Sequence, residues 1–352
     1  MNIFVTGGCG FIGSNFIRYW LSTFPDSFIV NLDKLTYAGN KNNLLDIEEY
    51  KNYQFIQGDI LDNDLLEIIL KKYHPSFVVN FAAETHVDRS IIYPEEFINT
   101  NILGTFRLLS SLNKYYSKMN NREKAKFRFL HISTDEVYGS LSIDQDPFKE
   151  TNKYFPNSPY SASKASSDHI VRSFYKTYNL PILISNCSNN YGPYQSLEKF
   201  IPLVIHNALM KKEIPIYGDG MNVRDWLYVN DHCDAIKKII LNGDPGEVYN
   251  IGCSNEITNI DIAKTICTLL DSFVPLNGKK SYLDFIKFIK DRPGHDFRYA
   301  IDSSKIKKKL SWHAKTSFKD GISTTTKWYL ENMFWFKENA GKDFDKWIDL
   351  QY

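Results

Sequence analysis

Cysteine is scarce in this chain, long apolar runs are missing, and neither sign of charge dominates. The 352 residues include five cysteines, with no C-x-x-C pair, a pattern typical of neither a zinc site nor a disulfide framework. No run of 18 or more apolar residues occurs, so we expect no membrane-spanning helix. The 42 basic and 41 acidic side chains leave a net charge of +1, which offers no strongly basic surface to nucleic acid or a membrane.

The rest of the composition is that of an ordinary globular protein. Hydrophobic residues make up 43% and charged residues 24%, which excludes disordered, collagen-like and disulfide-stapled chains. Residues 1–6 predict a strand rather than a basic leader before an apolar segment, so we expect a cytoplasmic protein without a metal site. The cysteines are expected to be reduced, partly buried side chains: Cys9, Cys187, Cys233, Cys253 and Cys267.

Short β-branched or apolar runs alternate with helical patterns through the first half of the chain. This alternation predicts an α/β fold with a Rossmann-like, doubly wound parallel sheet covered by helices on both faces. The predicted strands are residues 2–6, 28–32, 54–57, 77–80, 127–132 and 182–185, and the predicted helices are residues 11–23, 62–73, 95–115 and 159–178. Residues 118–126 are predicted to be a surface loop, and later loops rich in Gly, Asn and Pro are predicted at 188–195, 217–224 and 291–297.

A glycine-rich loop directly follows the first predicted strand. Gly8-Cys9-Gly10-Phe11-Ile12-Gly13 fits G-x-G-x-x-G, and a G-x-x-G-x-x-G spacing begins at Gly7. A plain glycine turn is the alternative, but the position before a helix favours a pyrophosphate at the helix N-terminus. Asp33, at the end of the second strand pattern, can accept hydrogen bonds from ribose hydroxyls and would repel a 2′-phosphate, which predicts NAD. Gly58-Asp59-Ile60 and Phe81-Ala82-Ala83 follow the next two strands and extend this site.

A tyrosine and a lysine stand four residues apart at a predicted helix start. Tyr160 and Lys164 would share one face of that helix, although composition alone gives about two Y-x-x-x-K matches and the chain has two. The other match, Tyr37 with Lys41, lies in a predicted loop. We predict that Tyr160 is a base for a sugar hydroxyl and that the nearby ammonium lowers its pKa. A packed aromatic beside a surface lysine is the alternative.

Two adjacent carboxylates, Asp135 and Glu136, follow the fifth predicted strand. Neighbouring side chains of a strand point to opposite faces, so both can face one cleft only if the strand ends before them. An acid and a base beside one substrate predict an elimination, because a ketone acidifies the neighbouring C–H and the acid protonates the departing hydroxyl. The pair therefore predicts a dehydratase, and a solvated strand end is the alternative.

The chain resembles the extended short-chain dehydrogenase/reductases over essentially its whole length, and among them the enzymes that dehydrate nucleotide sugars. The resemblance is carried by the glycine loop, residues 33–40, residues 82–90, Thr134-Asp135-Glu136, Tyr160 with Lys164, residues 188–194 and residues 291–296.

The resemblance implies a lyase that uses NAD and acts on dTDP-glucose. Tyr160 would deprotonate the 4-hydroxyl as hydride leaves C4 for NAD, with Thr134 hydrogen-bonded to the new ketone. Glu136 would then take the C5 proton, Asp135 would protonate the departing 6-hydroxyl, and the hydride would return to C6. Lys164 would hold the nicotinamide ribose.

The resemblance also implies the binding residues. The predicted cofactor contacts are Gly7, Gly10, Phe11, Ile12, Gly13, Asp33, Lys34, Thr36, Asp59, Ile60, Ala82, Ala83, Thr100, Tyr160, Lys164 and Asn190. The predicted substrate contacts are Glu84, Thr85, His86, Asn101, Asn189, Asn190, Glu198, Lys199, Phe200, Pro215, Tyr217, Arg224, Asn259, Arg292 and His295. Arg224 and Arg292, in Gly-rich loops of a chain with few arginines, could fork onto the diphosphate. The alternative for Arg224 is an ion pair with Asp225.

The implied organisation is a NAD-binding domain over residues 1–186 plus about 224–248, and a smaller, mostly C-terminal nucleotide-sugar domain over about 187–223 and 249–352. The family also implies a homodimer through the helices predicted at 95–115 and 159–178. Their apolar positions could equally face the sheet: Phe97, Leu108, Leu109, Leu112, Ile170, Val171 and Phe174.

Three positions depart from the family pattern: Asn186 stands where a basic residue is expected, Phe297 where arginine is expected, and Ser311 where glycine is expected. A UDP-sugar 4-epimerase or a UDP-glucuronate decarboxylase is the nearest alternative function. An epimerase has no use for Asp135 with Glu136, and Asp135 would repel the carboxylate of a decarboxylase substrate. A non-catalytic NAD-binding protein would need neither Tyr160 nor the two carboxylates.

Overall fold

The computed structural model describes residues 1–291 and 295–339, together with residues 346 and 348. Seven strands form its largest sheet: β1 (Asn2–Thr6), β2 (Phe28–Asp33), β3 (Tyr53–Gln57), β4 (Phe77–Asn80), β5 (Arg128–Thr134), β6 (Ile182–Cys187) and β10 (Val248–Ile251). Their order is β10-β6-β5-β4-β1-β2-β3, and every pairing is parallel. The predicted doubly wound parallel sheet is confirmed, and the six predicted strands differ from these bounds by at most two residues.

Two smaller sheets lie outside the large one. The first consists of β7 (Asn189–Tyr191), β9 (Val223–Tyr228) and β11 (Glu256–Thr258), in the order β11-β9-β7. In the second, β8 (Ile214–Tyr217) pairs in parallel with β12 (Ile286–Ile289). The regions predicted as loops after β6 therefore contribute short strands.

The helices are α1 (Phe11–Thr23), α2 (Asn63–Tyr73), α3 (Val87–Ile92), α4 (Pro94–Phe97), α5 (Thr105–Ser117), α6 (Asn121–Lys126), α7 (Pro159–Tyr178), α8 (Phe200–Leu209), α9 (Val229–Asn242), α10 (Asn259–Phe273), α11 (Ser304–Leu310), α12 (Phe318–Glu331) and α13 (Met333–Asn339). Short 3₁₀ helices cover Lys41–Ile47, Asp135–Tyr138 and Tyr282–Phe285. The helix predicted at 95–115 is divided, because a π-helical stretch, Ile98–Gly104, joins α4 to α5.

The prediction of a loop at 118–126 is wrong for residues 121–126, which form α6. Asn120 accepts hydrogen bonds from the backbone N–H groups of Arg122 and Glu123, and the Glu123 carboxylate accepts the backbone N–H of Asn120. This reciprocal capping box stabilises a helix start even in a strongly polar segment.

Apolar side chains cover both faces of the large sheet. Helices α1 and α9 pack on one face, where Trp20 and Ile236 are completely buried, and α2, α5 and α7 pack on the other. Five of the seven apolar positions named for the predicted dimer helices lie in this second core and so face the sheet: Leu108, Leu109, Leu112, Val171 and Phe174.

A separate apolar cluster joins α8, α10 and α12 beside the smaller sheets. The division into two domains stays a prediction, and β10 places residues 248–251 in the large sheet. All five cysteines are free, and four of them are buried. Among the described residues, no helix has the length and apolar character needed to cross a membrane.

Candidate active site

The order of the large sheet creates a crevice at the carboxyl ends of β1 and β4. The chain leaves β1 toward β2 on one side and returns as β4 on the other, and ligands of open α/β sheets bind at such a switch point. Gly7, directly after β1, has φ +71°, and a Cβ there would lie 2.5 Å from the backbone nitrogen of Ala82 after β4. Glycine at this position lets the two loops approach each other.

This crevice continues into one long cleft that brings most of the predicted site together. All five predicted catalytic residues and all sixteen predicted cofactor contacts line it. Of the predicted substrate contacts, the cleft is lined by Glu84, Thr85, Asn189, Asn190, Glu198 and Lys199.

Backbone hydrogen bonds fix the end of the cleft beside β2. The Asp33 carboxylate accepts the backbone N–H groups of Cys9 and Leu35, both at 2.8 Å. Burial raises the pKa of Asp33, and the two N–H donors act in the opposite direction. A carboxylate has about four acceptor sites, so Asp33 retains capacity for ribose hydroxyls. Lys34 forms an ion pair with Asp59 at 2.8 Å beside it.

The residues present fit a dinucleotide. Gly10 precedes α1 with an extended backbone, and a Cβ there would approach no closer than 3.3 Å to any neighbouring protein atom. Because Gly10 lines the cleft, a side chain at this position would occupy the space before the helix N-terminus where a pyrophosphate binds. Further along the cleft, buried oxygens without a protein partner include Glu84 Oε2, Asp135 Oδ2 and Asn189 Oδ1. Such atoms are expected where a polar ligand completes the hydrogen bonding.

The end of β5 turns both predicted acid–base residues into the cleft. The strand ends at Thr134, and the 3₁₀ turn Asp135–Tyr138 follows at once. Thr134 caps this turn by accepting the Glu136 backbone N–H at 3.3 Å. Because Asp135 and Glu136 lie after the strand, their side chains do not alternate between its two faces. Both line the cleft, as the dehydratase hypothesis requires.

Asp135 lies in surroundings that favour its protonated form. Burial raises its pKa well above the usual range, and the charges of Glu136 and Asp225 act in the same direction. Arg224 and the hydroxyl of Thr134 act in the opposite direction but are outweighed. A neutral carboxyl group at this position is suited to donate a proton.

The predicted effect of Lys164 on Tyr160 is not confirmed. Burial raises the pKa of the Tyr160 phenol well above its usual range, with Glu136 and Cys187 contributing and a hydrogen bond with Thr134 opposing. The Lys164 ammonium points instead toward β5, where it donates to the Ile132 carbonyl oxygen at 2.7 Å. The phenol is therefore the stable form in the structure described.

Below Lys164 lies a buried polar cluster that the sequence reasoning missed. Lys164 Nζ is 3.4 Å from His131 Nε2, which lies 3.6 Å from Asp168 Oδ1. The Asp168 carboxylate also accepts the hydroxyls of Ser133 at 2.8 Å and Tyr154 at 3.1 Å. Burial lowers the pKa of Lys164 to about 8, although Asp168 raises it. Asp168 stands four residues after Lys164 on α7, and this spacing could have signalled the contact.

Several predicted substrate residues lie outside the cleft lining. Asn101 positions Glu84, because it accepts the Glu84 backbone N–H at 2.8 Å and donates to its carbonyl oxygen at 3.0 Å. His295 contacts Asp291 at 2.6 Å. The others that do not line the cleft are His86, Phe200, Pro215, Tyr217 and Asn259, and Arg292 lies outside the described residues.

Arg224 also lies outside the cleft lining, and its side chain contacts the loop before residue 298. Its guanidinium donates to the carbonyl oxygens of Val223, Asp296 and Phe297 at 2.8–3.2 Å and lies 4.4 Å from the Tyr299 ring centre. The guanidinium thus holds the loop before residue 298 against β9. Its role toward a diphosphate stays a prediction.

The structure describes all three positions that depart from the family pattern. Asn186, in the middle of the sheet, donates to the hydroxyls of Tyr138 and Tyr154, both at 3.1 Å. Phe297 is partly exposed in the loop that Arg224 holds. Ser311 has φ +50°, the left-handed conformation that explains why glycine is expected there.

Further cleft residues were not predicted, including Ser133, Cys187, Ser188, Gln195 and Ser196. Arg89 also contributes, because its guanidinium donates to Glu198 Oε2 at 3.0 and 3.1 Å and lies 4.0 Å from the Tyr37 ring centre. Arg89 stands in the segment 82–90 that carries the resemblance, and the rarity of arginine was the signal that could have identified it.

The comparisons with known sequences agree closely. The family model described as GDP-mannose 4,6 dehydratase matches residues 4–325. The chain is 49% identical over 360 residues to dTDP-glucose 4,6-dehydratase 1 of Escherichia coli K12, covering 100% of this chain and 99% of that relative. It is 51% identical over 333 residues to the dTDP-glucose 4,6-dehydratase of Neisseria gonorrhoeae, covering 94% and 96%.

Solved structures show the same relationship. The dTDP-glucose 4,6-dehydratase of Bacillus anthracis in complex with NAD superposes with a TM-score of 0.85 at 45% identity, over 96% of this chain and 99% of that one. The Streptomyces venezuelae enzyme of the same description, with NAD and TYD bound, gives 0.86 at 42% identity, over 95% and 98%. A Thermotoga maritima UDP-glucose 4-epimerase gives 0.81 at 28% identity, over 95% and 100%.

Proposed function

The chain belongs to the dTDP-glucose 4,6-dehydratases, within the family of the GDP-mannose 4,6 dehydratase model, and from this we propose how its own residues perform the reaction. The protein is an NAD-dependent hydro-lyase that converts dTDP-glucose to dTDP-4-dehydro-6-deoxy-glucose. When bound, NAD would supply the hydride acceptor for C4 and the hydride donor for C6, and Glu136 would return a proton to C5 as that hydride arrives. The remaining steps are proton transfers and charge stabilisation by side chains of the cleft.

In the first stage, Tyr160 takes the proton of the sugar 4-hydroxyl. Thr134 hydrogen-bonds the Tyr160 side chain, so its hydroxyl is placed beside the oxygen that becomes the 4-ketone. Burial and nearby carboxylates disfavour the phenolate before substrate binds, and positive charge that bound NAD would bring into the cleft would favour the proton transfer. Lys164, which lines the cleft one helical turn further on, would hold the cofactor ribose.

In the second stage, Glu136 removes the C5 proton and Asp135 donates a proton to the departing 6-hydroxyl. The observation that carries the proposal is this pair. Asp135 is buried, its pKa is raised, and it faces the same cleft as Glu136 and Tyr160. An acid and a base on one wall supply the two proton transfers that elimination of water needs.

The deciding experiment is to incubate the purified protein with dTDP-glucose without added reductant and to follow the sugar by NMR and mass spectrometry. We expect the loss of one water, a 4-ketone with a 6-methyl group, and no net accumulation of reduced cofactor. An unchanged mass with galactose configuration would establish an epimerase instead. UDP-glucose under the same conditions tests the preference for thymidine. The buried Glu198 and the half-buried Lys199, which donates to the Thr85 carbonyl oxygen, are proposed to set this preference.

We also propose a homodimer that works in the cytoplasm. Helices α3 and α5 and the π-helical stretch expose large apolar side chains, each at least 38% accessible: Ile91, Ile92, Ile98, Leu103 and Phe106. Exposed apolar patches of this kind mark interaction surfaces, and a two-fold axis would bury them against a second copy. The five free thiols are consistent with a reducing compartment.

A further inference from the structure

The C-terminal helix α13 returns to the first nucleotide-binding loop, almost 300 residues away in sequence. Trp335, on α13, is 8% exposed, and its indole N–H donates to Asn43 Oδ1 at 2.8 Å. Asn43 lies in the 3₁₀ helix Lys41–Ile47 after β2 and is 2% exposed. This hydrogen bond therefore lies in a buried environment, where the loss of one partner is costly.

Asn43 connects Trp335 to the glycine loop through its own hydrogen bonds. Its side-chain amide donates to the Cys9 carbonyl oxygen at 2.8 Å, and the Asn40 backbone N–H reaches the same oxygen at 3.1 Å. The Cys9 backbone N–H donates in turn to Asp33, the proposed ribose ligand, at 2.8 Å. Three hydrogen bonds in series thus connect Trp335, Asn43, Cys9 and Asp33.

Aromatic packing holds Trp335 in place and makes a second connection to the cleft. Its ring centre lies 5.3 Å from that of Trp328 and 6.0 Å from those of Tyr194 and Tyr329. The Tyr329 hydroxyl donates to the carbonyl oxygen of Gln195, a cleft residue, at 2.8 Å. Helix α12 therefore contacts a residue of the cleft directly, and α13 reaches the glycine loop through Asn43.

We propose that Trp335 is a positioning residue for the cofactor, which holds the glycine loop through Asn43 and slows the release of NAD. The proposal rests on the proposed function, because a cofactor that is reduced in the first stage and reoxidised in the last must stay bound between them. A rigid loop serves this purpose, since a preorganised binding site loses less free energy on ordering and releases its ligand more slowly.

The test compares Trp335→Phe with Trp328→Phe. The first substitution removes the indole N–H and keeps an aromatic ring, whereas the second alters the same aromatic cluster without touching the bond to Asn43. The measurements are the rate constants for release of NAD and of NADH by stopped-flow displacement without sugar, together with the thermal unfolding of each variant. We expect release about tenfold faster from Trp335→Phe, as the loss of one buried hydrogen bond predicts. Trp328→Phe keeps the hydrogen bond to Asn43, so its rate constant for release should stay within about twofold of that of the parent protein.

Equal release rates from the two variants would overturn the proposal. Asn43→Ala gives an independent route if Trp335→Phe does not fold, because it breaks the same series of bonds at its centre. The double variant should release NAD no faster than Asn43→Ala alone, since both substitutions interrupt one path. If the two substitutions accelerated NAD release independently, so that the double variant released it faster than Asn43→Ala, the proposed series of hydrogen bonds would be contradicted. These measurements need no turnover of dTDP-glucose, so failure of the dehydratase assay and failure of this proposal give different results.

Discussion

Asp135 and Glu136 are neighbours in the chain and occupy one cleft, yet they are assigned opposite tasks. Asp135 is buried with a raised pKa, and the nearby Glu136 charge is one of the causes. Two close carboxylates resist simultaneous ionisation, so the proton resides on the more buried member. The division into acid and base thus follows from their different burial.

We predict that Glu136→Gln uncouples oxidation from elimination. The amide cannot remove the C5 proton, so product formation should fall by about 10²–10⁴-fold. Oxidation at C4 does not use Glu136, so addition of dTDP-glucose should leave reduced nicotinamide on the enzyme, measured by its absorbance.

Asp135→Asn is the matched control for that experiment. This second variant keeps Glu136, so the C5 hydrogen should still exchange with deuterium from the solvent while loss of water is slow. Product formation by Glu136→Gln at the parental rate would contradict the assignment of the base.

The pKa of Lys164 is set by groups from several elements. Its ammonium faces His131 on β5, Cys187 on β6 and Asp168 on its own helix, and Asp168 in turn contacts the Tyr154 hydroxyl. Burial raises the pKa of Asp168 to about 7 and that of the Cys187 thiol to about 12, and it lowers the pKa of His131. Of these groups, Asp168 is the one that carries negative charge above pH 7 and stabilises the ammonium.

We predict that Asp168→Asn moves the alkaline limb of the kcat profile to lower pH. The carboxylate raises the pKa of Lys164, so its removal favours the neutral amine and lowers that pKa, with an expected shift of about 1–3 pH units. The amide preserves the shape and can still accept from Ser133 and Tyr154. Asp168→Glu, which restores the charge, should bring the limb back, and an unchanged limb in Asp168→Asn would show that the carboxylate acts through packing alone.

At the scale of the elements, the loop between β1 and α1 contains glycine for two different physical reasons. Gly7 needs a left-handed backbone and close contact with Ala82, so it is a requirement of the fold. Gly10 has an ordinary extended backbone and faces the cleft, so it is a requirement of the ligand.

We predict that Gly10→Ala weakens NAD binding more than it destabilises the apoprotein. The added methyl group lies 3.3 Å from the Gly7 carbonyl oxygen, a tight contact, and enters the pyrophosphate space, so NAD affinity measured by calorimetry should fall about tenfold or more for a clash of this kind. The unfolding temperature without cofactor should fall less than in Gly7→Ala, whose Cβ would lie 2.5 Å from the Ala82 backbone nitrogen. Equal NAD affinity in Gly10→Ala and the parent would refute the placement.

The strands were predictable because each is a short apolar run between polar turns, and a parallel sheet covered on both faces requires such runs. The π-helical stretch at Ile98–Gly104 was not predictable, since its hydrogen-bond pattern depends on packing and not on a local signal. At the site, the glycine loop and the 134–136 triplet were predictable because they directly follow strands whose ends can be located in the sequence. His131 is brought to Lys164 by the packing of β5 against α7, which no single segment encodes, whereas the spacing of Asp168 from Lys164 on α7 was a local signal.

At the scale of the whole molecule, burial decides which apolar positions are free to form an interface. Leu108, Leu109 and Leu112 of α5 pack on the sheet, whereas Leu103 and Phe106 face away from it. The proposed dimer surface therefore includes the outer side of α5, together with the π-helical stretch and α3.

We predict that Phe106→Asp produces a monomer. A charge placed at the centre of an apolar interface loses its hydration without gaining a partner, which costs several kcal/mol. Size-exclusion chromatography with light scattering should give two chain masses for the parent and one for the variant. Leu45→Asp, at an exposed apolar side chain outside these helices, is the control and should keep the mass of the parent.

The position of β10 in the large sheet has a consequence for biosynthesis. Strand β6 pairs with β5 on one side, and its other edge is covered by β10, which is synthesised about 60 residues later. During translation, β6 leaves the ribosome with an unpaired edge, and such edges are templates for aggregation. The nascent chain is therefore exposed to misassociation until residues 248–251 emerge, so chaperones that bind exposed strands should raise the yield of folded enzyme most during that interval.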